Sequence, residues 1–393
     1  MKKQFKIPLT IFIVVLLNLL FKGLFINQHP NSIALDEIHY LQTINIHIPF
    51  GNYFFRIFNL VISTLISLTS FFLVYRQSKH YLLGLLFAIE LIFTPWVFII
   101  TRFFNWYLLI LLLVIIVLFI VPNRFLRFSS IGLLLLTVGQ ALIELKIENL
   151  QYINTKLVQL FAILDFNHLF FLGDTSSRFA NIPLTGFFMY FELTLLIIGF
   201  YSILTRADKK IRSLLFELTL IALVSFFLQK KDSLHIFLGL FWFYLISLIV
   251  AIGITKFLEK NINRRFLVSV VFGFILVNIG FYQELFYSHF DKNNSFEWGY
   301  AENSAISYYR TNRYQNILLS EESGKLKQYL DYFRFTDNQV VSAEKMKGRC
   351  QYPSLCIVRE QELPRLNLTK DQVKRIFRHF DGLPMYFVIN NLR

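Results

Sequence analysis

Charge is scarce in this chain. Only 16% of its 393 residues are charged and 55% are hydrophobic, where a soluble domain carries about a quarter charged residues. An ordinary soluble globular protein is excluded. Cysteine is nearly absent: Cys350 and Cys356 are the only two. Their spacing suits no zinc ribbon, and no second ligand pair accompanies them. Outside the cytoplasm they form either a disulfide or two buried thiols, and both readings are structural. No P-loop and no Gly-x-Gly-x-x-Gly occurs, so no nucleotide-binding fingerprint is present. There is no internal repeat. A cleavable signal peptide is also missing, because the apolar run from Ile7 to Ile26 is too long and lacks a small-residue cleavage site. It reads as a retained first span.

What is abundant is apolar sequence. Mean hydropathy is +0.52, and runs of about 20 apolar residues recur, each long enough to cross a bilayer as a helix. The pattern predicts a polytopic α-helical membrane protein of about nine transmembrane helices, at 7–26, 53–75, 80–98, 103–121, 128–145, 184–204, 212–229, 235–255 and 266–286. The 46 Phe read as lipid-facing filler. The net charge of +14 comes from Lys and Arg in short loops rather than from a nucleic-acid surface. Lys2, Lys3 and Lys6, Arg76 and Lys79, Arg124 and Arg127, Arg206 to Arg212, and Lys256 to Arg265 all fall on one side of this topology. That side is cytoplasmic by the positive-inside rule. The expectation is a multi-pass protein of the cytoplasmic (inner) membrane, with its N-terminus inside and its C-terminal part outside.

From about Leu285 the composition turns polar. "NILLS", "SLCIVRE" and "MYFVINN" read as strands and "LTKDQVKRIFRHF" as a Thr-capped helix. These predict a membrane domain at 1–285 and a small extracytoplasmic α/β domain at 286–393.

Unusual polar groups collect on the outer side. Asp36, Glu37, His39 and Tyr40 follow the first span. Arg102 sits at a hairpin end, Asp174 and Arg178 lie in "GDTSSR", and Lys230, Lys231 and His235 lie in "KKDSLH". A carboxylate can take a proton from an acceptor while cations hold a departing phosphate. Each group also has a plainer reading: a solvated acidic loop, a snorkelling arginine, an Asx turn, interfacial histidines.

Four stretches carry a resemblance. "ALDEIHYL" is similar to an Asp-Glu-x-x-Tyr entry motif in the first outer loop. "FTPWVFIITRFFNWYLLI" is similar to a Ser-Pro-Trp…Ser-Arg segment. "FFLGDTSSRFANIPLTGFFMYFELTLLIIGFYSIL" resembles a Gly-Asp…Arg…Gly…Tyr…Glu-Leu-Pro…Gly-Leu-Tyr stretch. "DSLHIFLGLFWFYLISLIVAIGI" is similar to a His-x-x-Arg segment opening a late span. "FEWGYAENSAISYYRTNRYQNILLS" further resembles the start of an outer α/β domain. Together they resemble the GT-C membrane glycosyltransferases (glycosyltransferase family 39-like), in particular bacterial relatives of protein O-mannosyltransferases and lipid A aminoarabinose transferases. The chain departs from that pattern at Leu238, where the family has Arg, at Phe179, where a His often stands, and in a short first outer loop without a second acid.

The resemblance implies an inverting transfer of a sugar from a polyprenyl-phosphate donor to a protein, glycolipid or cell-envelope polymer. Asp36 would be the general base, with Glu37 beside it. Arg102, Arg178, Lys230, Lys231 and His235 would hold the donor phosphate. His39, Tyr40 and Asp174 are further candidates, and His39 beside the two acids permits, without requiring, a divalent metal ion. Membrane lipid is an expected partner and nucleic acid is not. Two alternatives stand beside this reading. One is a degenerate GT-C-fold scaffold or sensor acting through the C-terminal domain. The other is a lipid or solute transporter, against which the sequence shows no ionisable pair at mid-depth; Glu90 and Glu192 are the nearest candidates.

Overall fold

A computed structural model describes residues 6–23, 54–102, 107–139, 150–173, 185–206, 208–228, 239–261, 265–287, 299–312, 314–335, 338–346, 349–350, 354–366, 372–378 and 384–389. Among the described residues, those up to Phe286 form a helical unit and those from Tyr287 onward belong to a second unit.

The helical unit contains α1 (Lys6–Gly23), α2 (Phe54–Ser78), α3 (Tyr81–Phe93), α4 (Pro95–Ile100), α5 (Tyr107–Ile120), α6 (Arg124–Gly139), α7 (Leu150–Leu164), α8 (Tyr190–Arg206), α9 (Lys209–Leu228), α10 (Leu240–Asn261) and α11 (Arg265–Leu285). Every apolar run read as a span contains helix. Three stretches, Arg56–Ser78, Lys209–Leu228 and Leu240–Lys260, are long and apolar enough to cross a membrane, and four shorter apolar helices accompany them. These mark the chain as a membrane protein.

Two departures from the sequence reading have clear causes. The expected span at 80–98 is two helices. Pro95 cannot donate to the ladder and disfavours helical geometry in the residue before it. Thr94 is accordingly extended (φ −66°, ψ 134°), and Pro95 starts α4 at its first position. The region 145–183, read as a loop, contains α7 and a π-helical turn at Asn167–Leu172. α7 is amphipathic: Val158 and Phe161 are exposed while Lys156 is buried, its Nζ 5.3 Å from the centre of the Phe226 ring.

The basic loops gather at one end of the bundle, here the Arg76 end. Arg76 donates to the Phe119 carbonyl of α5, and Arg127 of α6 forms a buried ion pair with Glu217 of α9. A cavity of about 220 Å³ at this end is lined by Ser78, His80, Ser202, Asp208, Lys256 and Glu259 among others. The opposite end is built around the α3–α4 break.

Backbone contact locks α8 to α10. A Cβ on Gly199 would stand 2.1 Å from the Ile249 carbonyl oxygen, and one on Gly253 would stand 2.0 Å from that of Leu195. Without a hydrophobic drive between helices in lipid, such small-residue crossings supply the packing.

The second unit is a five-stranded sheet in the order β2-β1-β3-β5-β4, made of β1 (Asn316–Leu319), β2 (Asn338–Val340), β3 (Ser354–Arg359), β4 (Val373–Arg378) and β5 (Pro384–Ile389). β1 pairs with β2 and β3 in parallel, and β5 pairs with β3 and β4 antiparallel. Helices α12 (Tyr300–Thr311) and α13 (Gly324–Tyr332) accompany the sheet. A separate core packs Leu318, Met346, Val358 and Phe387 around the Cys350–Cys356 disulfide. The α/β expectation is met, and the three expected strands are β1, β3 and β5. The expected helix in "LTKDQVKRIFRHF" is overturned: Val373–Arg378 is strand β4.

Glu302 is fully buried in this unit. It accepts a 2.8 Å hydrogen bond from the Tyr386 hydroxyl, with Lys325 Nζ 3.8 Å away. Burial first, and then the Glu302 charge, push the Tyr386 phenol well above its ordinary value.

Replacing Gly199 by Val should cost about 2–3 kcal/mol or more, since the new atoms meet backbone that cannot rotate away. A Cβ on Gly273 would meet nothing within 4 Å among the described residues, and Gly273→Ala should leave thermal unfolding of the detergent-solubilised protein unchanged or slightly improved. Equal effects of the two would reject the close crossing. Tyr386 gives a pH test. An unfolded Tyr loses its proton near pH 10, while the folded one keeps it to higher pH. The unfolded state therefore gains first, and stability falls as pH rises beyond about 10. Tyr386→Phe should weaken that fall between about pH 9 and 11.

Candidate functional site

The break at Thr94 creates the polar centre of the helical unit. Ending α3 leaves its last carbonyls without helical donors. The Lys22 ammonium, fully buried on α1, donates to the Leu91 carbonyl and to Ser63 Oγ of α2, both at 2.8 Å. A cation at a helix C-terminus is also favoured by the helix dipole. On the far side of the break the Trp96 amide donates to the Phe187 carbonyl at 3.1 Å, and the Trp96 indole to Ser247 Oγ of α10 at 3.2 Å. The Phe188 amide in turn donates to the Leu169 carbonyl of the π-helical turn at 2.8 Å. Gly186 permits this approach, for a Cβ there would lie 2.2 Å from Leu169 O.

Two acids meet at this end. Glu90 stands in the last turn of α3 and Glu192 in the first turn of α8. Both are almost wholly buried, and their carboxyl groups are neighbours. Glu192 Oε2 also accepts the Met189 amide at 2.7 Å, closing the start of α8. The sequence reading, which saw no ionisable pair at mid-depth, named Glu90 and Glu192 as the nearest candidates; they lie 102 positions apart in the chain and stand beside each other at the ends of α3 and α8.

Arg102 is the one candidate donor-phosphate residue within the described residues. It lies just beyond α4 and is 1% exposed. Its guanidinium carbon lies 4.6 Å from the centre of the Phe98 ring and 5.1 Å from that of Phe286, so aromatic faces hold the planar cation. A snorkelling arginine would reach solvent; this one is enclosed. Arg56, at the start of α2, is also fully buried. Sequence reasoning missed Lys22 and Arg56 as site residues. The available signal was a basic residue inside the apolar stretch at each span's end, opposite the basic loops. Asp36, Glu37, His39, Tyr40, Asp174, Arg178, Lys230, Lys231 and His235 lie outside the described residues, as do Phe179 and Leu238. Among the described residues no group of three His, Cys, Asp or Glu could hold a metal ion.

The chain matches no protein-family model, no curated protein and no solved structure.

The proximity of the two acids is testable. Glu90→Gln offers an amide donor to Glu192 and should change stability by less than about 1 kcal/mol, whereas Glu90→Ala leaves a buried acceptor and a cavity and should cost about 2–3 kcal/mol. Equal losses in thermal unfolding would reject an interaction between the two acids.

Proposed function

We propose that this chain is a membrane glycosyltransferase that uses a polyprenyl-phosphate-linked sugar on the outer face of the cytoplasmic membrane. The observation that carries the reading is Arg102. It is buried and oriented by Phe98 and Phe286, at the end of the bundle opposite the basic loops. Buried Lys22 and Arg56 are further basic groups at the same end. A pre-oriented cation in a site of low dielectric suits the charge that develops on a leaving phosphate. In the reaction, an acceptor oxygen attacks the anomeric carbon from the face opposite the phosphate. Asp36 takes the acceptor's proton, the carbon–oxygen bond to phosphate breaks, and polyprenyl phosphate leaves with the electron pair. In this proposal Glu37 assists Asp36, Arg178, Lys230, Lys231 and His235 bind the donor phosphate with Arg102, and His39, Tyr40 and Asp174 are further candidates. The basic Arg76 end then faces the cytoplasm, by the positive-inside rule.

A second reading has its own observation. The Glu90–Glu192 pair is the kind of intramembrane acid partnership that proton-coupled transporters use.

The two readings separate in one experiment. Purified protein with a panel of polyprenyl-phosphate sugars and membrane extract as acceptor source should release free polyprenyl phosphate. Asp36→Asn should lower that release by about 10²–10⁴-fold, with Glu90→Gln retaining most of it. Equal release by the wild type and Asp36→Asn rejects Asp36 as base. Proton-driven solute uptake in proteoliposomes that is lost only in Glu90→Gln establishes transport instead.

A further inference from the structure

The second unit carries a surface that neither the bundle nor the proposed transfer accounts for. Strand β4 is the edge of the sheet, and its Lys374, Arg375 and Arg378 are exposed. Its pairing with β5 slips between Val373 and Arg375. In a regular strand, Lys374 and Arg375 would point to opposite faces. The bulge re-aims one of them, and both reach the same aromatic row. Lys374 Nζ lies 3.2 Å from the Tyr314 hydroxyl and 5.8 Å from its ring centre. The Arg375 guanidinium lies 4.8 Å from the Tyr308 ring and 5.7 Å from that of Phe377. The rings form a ladder, with Tyr314 to Tyr308 at 5.9 Å and Tyr308 to Phe377 at 5.6 Å between centres.

Phe377 is buried and anchors the ladder, while Tyr308 and Tyr314 are partly exposed. The bond to Tyr314 first, and then the phenolic charges, hold the Lys374 ammonium above its ordinary value. Among the described residues neither Lys374 nor Arg375 forms an ion pair; their partners are rings and a phenol. Natural edge strands use a lysine to deter pairing, but a lone edge charge requires neither the bulge nor the ladder.

We propose that this ladder binds an extended anionic glycan. Sugar rings would stack on Tyr308 and Tyr314, and carboxylate or phosphate groups would meet Lys374 and Arg375. Repeated flat apolar faces alternating with negative charge are what an anionic polysaccharide presents. A lipid surface fits less well, because membrane-seeking faces carry exposed large apolar side chains. The only exposed large hydrophobic residue of the second unit, among those described, is Val340 on the opposite edge strand β2. The proposal does not depend on the transfer reaction, and a catalytically dead chain would bind equally.

The test uses the full chain in nanodiscs of phosphatidylcholine, with three fluorescent probes: polygalacturonate oligosaccharides, neutral dextran, and inorganic polyphosphate. Polygalacturonate should bind most tightly and weaken with salt. Lys374→Gln and Arg375→Gln should each reduce its affinity by about tenfold. Tyr314→Ala should weaken polygalacturonate but not polyphosphate, and Tyr314→Phe should retain binding. Should Tyr314→Ala fail to fold, the exposed Lys374→Gln and Arg375→Gln variants still decide the charge arm, and Tyr308→Leu the stacking arm. Polyphosphate binding as tight as polygalacturonate at equal charge overturns the proposal. So does indifference to the lysine and arginine substitutions, and so does binding to phosphatidylglycerol vesicles with no glycan binding.

Discussion

A helix that breaks inside an apolar bundle must find partners for its open backbone groups, because lipid offers none. Much of the helical unit follows from how the break at Thr94 is met. Lys22 on α1 reaches across α2 to the Leu91 carbonyl. Trp96 ties the restarted helix to Phe187 on one side and to Ser247 on the other. One proline thus gathers α1, α2, α3, α4, α10 and the segment before α8 at one end. That segment then sets Glu192 at the start of α8, within reach of Glu90 four residues before the break. The charged groups are consequences of the same local event rather than separate decorations.

Close helix crossing supplies the rigidity that such a centre requires. Gly199 and Gly253 let the α8 and α10 backbones touch, so Glu192 at one end of α8 and Ser202 at the other are held to one helix partner. At the Arg76 end the demands differ. Arg127 and Glu217 form a buried ion pair, which is strongly destabilising when one partner alone is lost, while Lys256 and Glu259 pair near the surface, where such contacts contribute little. Buried charge therefore fixes geometry at both ends, but only at the Pro95 end is it accompanied by a discontinuous backbone.

Hydropathy made the helices legible because each run must satisfy its backbone within itself, and that demand is local. What it could not show is partnership. Glu90 and Glu192 each looked like an isolated acid, since pairing across two helices leaves no trace in spacing. Lys22 stands at a span's end in no recognisable motif; its role follows from Pro95, 73 positions later. α7 hid in an expected loop because Gln151, Asn154, Lys156 and Gln159 dilute its apolar stripe. The error in "LTKDQVKRIFRHF" has a different cause. Val373 and Ile376, three apart, both pack on the disulfide core. That spacing is helical in a regular element, but a bulge between them adds one residue to a strand and produces the same interval.

That bulge also explains why the second unit has two unlike faces on its edge strand. Ile376 and Val373 turn inward to the disulfide core, while Arg375 and Phe377 turn to Tyr308 on α12. The extra residue, Lys374, is the one strand position with no pairing partner in β5. It is also the position that reaches Tyr314. A regular strand of the same composition would spend Lys374 on the solvent side of the core face, and the aromatic row would have one cation instead of two. The irregularity that defeats a periodicity argument is therefore the feature that concentrates charge beside exposed rings.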